Sequence, residues 1–113
     1  MTRTLAIANQ KGGVAKTTTT ASIGAALADR DFSVLVVDLD PQGCLTFSLG
    51  HDPDQLEKSV HDVLIGAQDI SDVLLETDDG VTLLPATIDL AGAEALLLMR
   101  PGREYALKRA LAE

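Results

Sequence analysis

Ten consecutive residues near the amino end, Asn9-Gln10-Lys11-Gly12-Gly13-Val14-Ala15-Lys16-Thr17-Thr18, combine the groups that a bound polyphosphate requires. Such an anion is held by backbone N–H groups turned inward, by a helix N-terminus aimed at it and by a fixed cation beside it. Gly12 and Gly13 permit the tight backbone, and the loop amides run on through Val14 and Ala15 to Thr18. Lys16 would reach a nucleotide's β- and γ-phosphates, and the Thr17 hydroxyl would face Mg²⁺. A second cluster, Val37-Asp38-Leu39-Asp40-Pro41-Gln42-Gly43, places its first carboxylate 22 residues after Lys16. Two carboxylates beside a magnesium nucleotide can hold metal-bound water or orient an attacking water. Each segment alone also reads as an ordinary surface feature, a Gly-rich turn with an exposed lysine and an acidic turn. Their occurrence together, each behind an apolar run, favours chemistry.

Such groups work only if a strand leads into the loop and a helix leaves it. Residues 4–9 (TLAIAN) read as a strand with an apolar centre at 5–8, and residues 10–16 as a polar turn. From Thr17 to about residue 30 the pattern is helical. Ile23, Ala26 and Leu27 form one stripe, while Ala21, Gly24, Ala25 and Ala28 keep another face thin enough to lie close to a sheet. Residues 33–38 are continuously apolar at 34–37, the pattern of a strand buried on both faces of a parallel sheet. Strand, helix and strand within about 35 residues make a βαβ unit with a right-handed crossover. Open sheets of this kind bind ligands at the carboxyl ends of their strands, where Asp38 and Asp40 fall. Further on come turns at 40–43 and 50–53, a helix over 59–66 with Ser59 as N-cap, and a short helix near 71–75. A turn at 78–80 leads into a third strand, 81–84. Asp89 is expected to cap a helix reaching about residue 99, stopped by Pro101-Gly102. A last helix, 103–112, has Leu107, Ala110 and Leu111 on one face and Glu104 four residues before Lys108.

The loop departs from the ordinary Walker A pattern, since Gln10 and Ala15 stand where that pattern has glycine. Its spacing resembles instead the deviant Walker A loop, K-G-G-x-G-K-[ST]-T, of ParA, MinD, the nitrogenase iron protein and their relatives. Residues 37–43 resemble the switch I of that family, V-D-x-D-P-Q-G, and 81–94 its third strand and following helix. The likeness runs over essentially all of the chain. It implies a P-loop NTPase-type α/β fold, a parallel sheet flanked by helices. Residues 1–113 would form the N-terminal part of a single ATPase domain, with the Walker B and later strands absent. It implies ATP and Mg²⁺ as cofactors, bound by Lys11 to Thr18, with Thr17, Asp38 and Asp40 on the metal side. Lys11, Lys16 and Asp40 would be catalytic: Asp40 positions the water with Asp38 in support. Lys11 would reach across a nucleotide-sandwich homodimer to the other subunit's ATP, as an arginine finger does. Ala15 replaces the family's glycine, at a cost of about 1 kcal/mol if that backbone needs positive φ.

The Asn9-Gln10 lead-in and the Asp-Pro-Gln-Gly turn fit the chromosome and plasmid partitioning branch best. The full-length form would be a weak ATPase that dimerises on ATP, holds DNA non-specifically through regions outside this chain and answers to a ParB-like activator. The nitrogenase iron protein is disfavoured because Cys44 is alone. Membrane positioning of the MinD type needs an amphipathic C-terminal helix, and 103–112 lacks a large insertion face, so no membrane partner is expected. The alternatives are a non-hydrolysing nucleotide-binding or structural module, or a MinD-like membrane-positioning ATPase.

Composition narrows the classes further. The chain has 113 residues, 46% of them hydrophobic, with Phe32, Phe47 and Tyr105 its only aromatics, so Ala, Leu and Val must do the packing. A formal net charge of −8 argues against this stretch gripping duplex DNA, which demands clustered Lys and Arg. Apolar runs such as 95–99 are too short to span a bilayer. No signal-peptide pattern opens the chain, so a cytoplasmic location is expected, and the resemblance to partitioning ATPases implies association with the nucleoid. A lone cysteine excludes an internal disulfide, and Cys44 reads as a small half-buried residue. His51 and His61 lack ligand-spaced partners, and Asp52, Asp54, Glu57, Asp78 and Asp79 read as solvated. Three strands would leave a long sheet edge open, and the last helix reaches Glu113 without a C-cap. The chain is therefore expected to be a fragment, with little or no turnover by itself.

Overall fold

A computed structural model describes residues 2–8, 16–99, 101, 102 and 105–112, except for the side chain of Glu94. Its first element is α1, Lys16–Asp29. The thin face foreseen for this helix is the one laid on the sheet. Gly24 is its buried residue, and a Cβ added there would come 3.2 Å from Val36 Cγ2 and 3.4 Å from Val81 Cγ1. Ile23 lies on the opposite, solvent-facing side rather than in a buried stripe.

Among the described residues, three short strands form the sheet in the order β1-β3-β2: β1 Leu35–Val37, β2 Leu75–Glu76 and β3 Thr82–Leu84. β1 runs parallel to β3, with Val36 opposite Leu83. β2 runs antiparallel to β3, so the sheet is mixed and not wholly parallel as the sequence suggests. The cause is the short link between them. Thr77 and Val81 are tied by a 2.8 Å bond from Thr77 Oγ1 to the Val81 carbonyl, and Gly80 turns at φ 80°. A turn this tight can only reverse the chain, whereas a parallel return needs a long crossover.

Alternation along the strands sorts side chains into two cores. Val36, Val81 and Leu83 pack with Leu45 and Leu49 of the segment after β1, and with Ala21 and Ala28 of α1. Leu84 and Ala86 face the other side, among Val60, Val63, Ile70, Val73, Leu90 and Ala93. That second layer is built from α3 Val60–Leu64, α4 Leu90–Leu98 and α5 Ala106–Leu111. The first layer gains α2, Cys44–Ser48, a helix in a stretch to which the sequence pattern assigns no element.

Several expectations are corrected here. Residues 2–8 form no strand and are exposed, with Leu5 at 62%. A strand with an apolar centre needs neighbours to cover both faces, and β1, β2 and β3 do not supply them. For the same reason Leu35 is exposed, although the run 34–37 reads as buried on both faces. The expected helix at 71–75 is a 3-10 turn, Ile70–Asp72, running into β2. At the amino end of α3 the Asp62 carboxylate accepts the Ser59 amide at 2.8 Å, half of a capping box. Asp89 stands at the cap of α4 without a side-chain bond, because its own backbone is already helical. Thr87 serves there instead, its Oγ1 accepting the Asp89 amide at 3.3 Å.

Gly24→Val should lower stability by about 1–3 kcal/mol through overpacking against Val36, read by urea denaturation. Gly92→Ala, where a Cβ meets nothing within 4 Å, should raise it by roughly 0.5–1 kcal/mol through helix propensity. Equal responses at the two sites would contradict the close approach of α1 to the sheet.

Candidate functional site

The orientation of α1 decides which groups share an edge of the sheet. Gly24 sits over Val36, and Ala28 lies 3.5 Å from where a Cβ on Gly80 would stand, just before β3 begins. The carboxyl end of α1 is therefore at the amino edge of the strands. A helix of 14 residues spans about 21 Å, which carries Lys16 and Thr17 to the carboxyl edge. The segment 38–43 leaves β1 at that same edge, and α2 beyond it packs against α1. Lys16, Thr17 and Thr18 form the first turn of α1, which contains no acidic residue. Lys11, Gly12, Gly13, Val14 and Ala15, also expected at the phosphates, lie outside the described residues.

The turn after β1 is fixed by a buried carboxylate. Asp38, only 3% exposed, has its amide bonded to the Leu84 carbonyl at 3.0 Å, extending the β1–β3 ladder by one residue. Its Oδ1 accepts the Asp40 amide at 3.1 Å. Its Oδ2 accepts both the Thr46 amide at 3.0 Å and the Thr46 hydroxyl at 2.7 Å. Three bonds to one carboxylate offset the cost of withdrawing it from water. Thr46 Oγ1 in turn accepts the Ala86 amide at 3.0 Å. The turn, the first residues of α2 and the exit of β3 are thus one hydrogen-bonded unit.

Asp40 is placed differently. It is half-buried, and its Oδ1 accepts the Gln42 amide at 3.0 Å. Its Oδ2 has no protein partner among the described residues, so one oxygen stays available at the carboxyl edge. Gly43 closes the turn in the left-handed region at φ 66°, with its amide on the Asp40 carbonyl at 2.8 Å. A Cβ at Gly43 would stand 2.6 Å from Pro53 Cγ and 3.1 Å from the Ala86 carbonyl oxygen. Only glycine fits there, on conformation and on space.

These groups fit a magnesium nucleotide. A helix N-terminus with a lysine in its first turn suits phosphate. Magnesium keeps most of its waters and takes only one or two protein ligands, so Thr17 and a carboxylate with a spare oxygen suffice without a cage. No cluster of three or more His, Cys, Asp or Glu suited to a metal occurs among the described residues. His51 Nε2 instead meets the Glu76 carbonyl at 2.8 Å, away from this edge. Cys44, expected half-buried, is exposed, because α2 turns Leu45 and Thr46 inward and its first residue out. A shallow groove of about 570 Å³ lined by Ala25, Ala28, Asp78 and Gly80 lies at the amino edge, the wrong end for these groups. Sequence reading missed Thr46. The available signal was a threonine eight residues after the first aspartate of the turn.

Known proteins are similar to this one over nearly its whole length. A family model described as AAA domain matches residues 2–113. The sporulation initiation inhibitor protein Soj of Bacillus subtilis is 46% identical over 112 residues, which cover 98% of this chain and 44% of Soj. The chromosome partitioning protein ParA of Caulobacter vibrioides is 44% identical over 110 residues, covering 96% of this chain and 41% of the relative. A crystal structure from Mycobacterium smegmatis, described as cobyrinic acid a,c-diamide synthase with bound ADP and magnesium, matches with a TM-score of 0.97. It is 75% identical and covers 99% of this chain and 46% of that one. The chain thus spans less than half the length of each of these relatives.

Gly43→Ala should cost about 2–5 kcal/mol, the left-handed backbone term plus the clash with Pro53. Gly50→Ala, at φ 97° with nothing within 4 Å of its Cβ, should lose only the backbone term of about 1–2 kcal/mol. Thermal unfolding of the two variants checks this difference.

Proposed function

Because the chain belongs to the ParA/MinD-type P-loop ATPases, we propose that the carboxyl edge bearing Lys16, Thr17 and Asp40 is the front half of an ATP site serving DNA partitioning. The observation that carries this reading is the shared edge: the start of α1 and the 38–43 turn both lie at the carboxyl edge, where an open α/β sheet binds its ligand. Lys16 neutralises the β- and γ-phosphates, and the amides of the first turn of α1 face the same charge. The Thr17 hydroxyl and the spare oxygen of Asp40 are the groups that would hold Mg²⁺. Bound magnesium supplies charge neutralisation on the phosphates. Asp40 also orients the attacking water by accepting its hydrogen bond. Asp38, its carboxylate turned into the protein, supports Asp40 from behind. Lys11 reaches the ATP of a second subunit across a sandwich dimer.

In the complete protein, ATP-dependent dimerisation would switch on non-specific DNA binding through regions beyond this chain, and a ParB-like activator would stimulate hydrolysis. That residues 1–113 form the N-terminal part of one ATPase domain, lacking Walker B, belongs to the same proposal. It is supported by the share of Soj that the match covers. A cytoplasmic, nucleoid-associated location follows from it. Among the described residues no helix is long and apolar enough to cross a membrane. The apolar side of α5 is used internally, with Ala106 buried and Ala110 and Leu111 against the core.

A second reading takes its warrant from the 75% identity to the M. smegmatis protein and the amide-forming activity in that protein's description. The same nucleotide site would then drive amide formation. The relatives named chromosome partitioning protein ParA favour the first. Stimulation of ATP turnover by DNA and a ParB-like protein, and not by cobyrinic acid with an amide donor, is the outcome expected.

Lys16→Ala should abolish nucleotide binding, a loss of at least about 100-fold in affinity since charge-assisted contacts to phosphate disappear. Asp40→Ala in the complete protein should bind ATP normally and lose turnover by about 100-fold or more. Fluorescent-nucleotide titration and phosphate release measure the two. Normal hydrolysis by Lys16→Ala would make the loop assignment wrong. The 113-residue chain alone should show little or no ATPase activity, and robust turnover would contradict the half-site reading.

A further inference from the structure

Resting on the reading of this edge as an ATP site, we propose that Thr46 is a positioning residue for hydrolysis, fixing Asp40 through Asp38 and Ala86. Thr46 is fully buried, at 0% exposure, on the inward side of α2. A threonine in such a place could be filling space, and valine would then serve as well. Its hydroxyl, however, is engaged on both sides. It donates to Asp38 Oδ2 at 2.7 Å and accepts the Ala86 amide at 3.0 Å. Asp38 Oδ1, the other oxygen of that carboxylate, accepts the amide of Asp40 at 3.1 Å.

A continuous chain of hydrogen bonds therefore runs from the exit of β3, through the Thr46 hydroxyl and the Asp38 carboxylate, to the backbone of Asp40. The frame it starts from is rigid: Pro85 and Ala86 are buried, and the Pro85 carbonyl accepts the Val60 amide at 2.7 Å. Thr46 is too deep to touch a nucleotide, so its effect must pass through the groups it holds. Removing the hydroxyl leaves the Ala86 amide unpaired and takes from Asp38 its shortest bond. The loss falls on the orientation of Asp40, while Lys16 and the start of α1 keep their place. Turnover should suffer and ATP binding should not.

The test compares Thr46→Val, which keeps shape without the hydroxyl, with Thr46→Ser, which keeps the hydroxyl, and with Lys16→Ala, all in the complete natural protein. Thr46→Val should lower kcat at least about 10-fold with KM for ATP within about twofold, and Thr46→Ser should return most of kcat. Faster amide exchange at Asp40 and Ala86 in Thr46→Val, and not in Thr46→Ser, should accompany the loss. Should Thr46→Val not fold, Thr46→Cys, a poor hydrogen-bond donor of similar bulk, gives the same comparison. Wild-type kcat in the hydroxyl-free variant, with Lys16→Ala unable to bind ATP, would overturn the role of Thr46 alone. So would a folded Thr46→Ser no better than Thr46→Val. Normal ATP binding by Lys16→Ala would instead bring down the ATP-site reading, and this inference with it.

Discussion

A carboxylate buried at the end of β1 sets the local structure around it. Withdrawing Asp38 from water is unfavourable unless every available partner is supplied. The fold supplies them from three directions: the turn ahead, the start of α2 and, through Thr46, the exit of β3. Each partner is thereby placed relative to the others. The turn cannot open without unpairing Asp38, and α2 cannot shift without breaking both Thr46 bonds. Gly43 allows the chain to turn sharply enough for this, since any Cβ there would strike Pro53.

The second constraint is distance. α1 approaches the sheet so closely that Gly24 has no room for a side chain without moving Val36. That contact fixes the height of the helix above β1, and its direction fixes which end meets the 38–43 turn. A phosphate-binding helix start and a carboxylate turn are useful together only within a few ångströms. Small residues on one helix face and a glycine in one turn bring both to the carboxyl edge of the sheet.

Much of this was legible in the sequence. The thin face of α1 was visible in the spacing of Ala21, Gly24 and Ala28, and β1 and β3 in their apolar runs. The carboxyl-edge position of Asp38 and Asp40 followed from the rule for open sheets. What sequence could not show were features set by tertiary partners. Residues 4–9 carry a strand's pattern, but a pattern records a need for burial and not whether β1 to β3 meet it. α2 has only five residues and no periodicity to detect. The antiparallel direction of β2 lies in the shortness of the 77–81 link, which was read as a turn without its consequence for the sheet. Thr46 looked unremarkable because a single threonine has no spacing to interpret. Its importance appears only once Asp38 is seen to be buried.

The central claim is that the start of α1 and the 38–43 turn form one face of a nucleotide site, and ¹⁵N-resolved NMR during a titration with Mg²⁺–ATP tests it most directly. The account predicts that the amides of Lys16, Thr17, Thr18 and residues 38–40, 42 and 43 shift together along one binding curve, while the amino edge around Gly80 stays still. Shifts confined to the groove between Ala25 and Gly80, or none at the carboxyl edge at millimolar nucleotide, would contradict it.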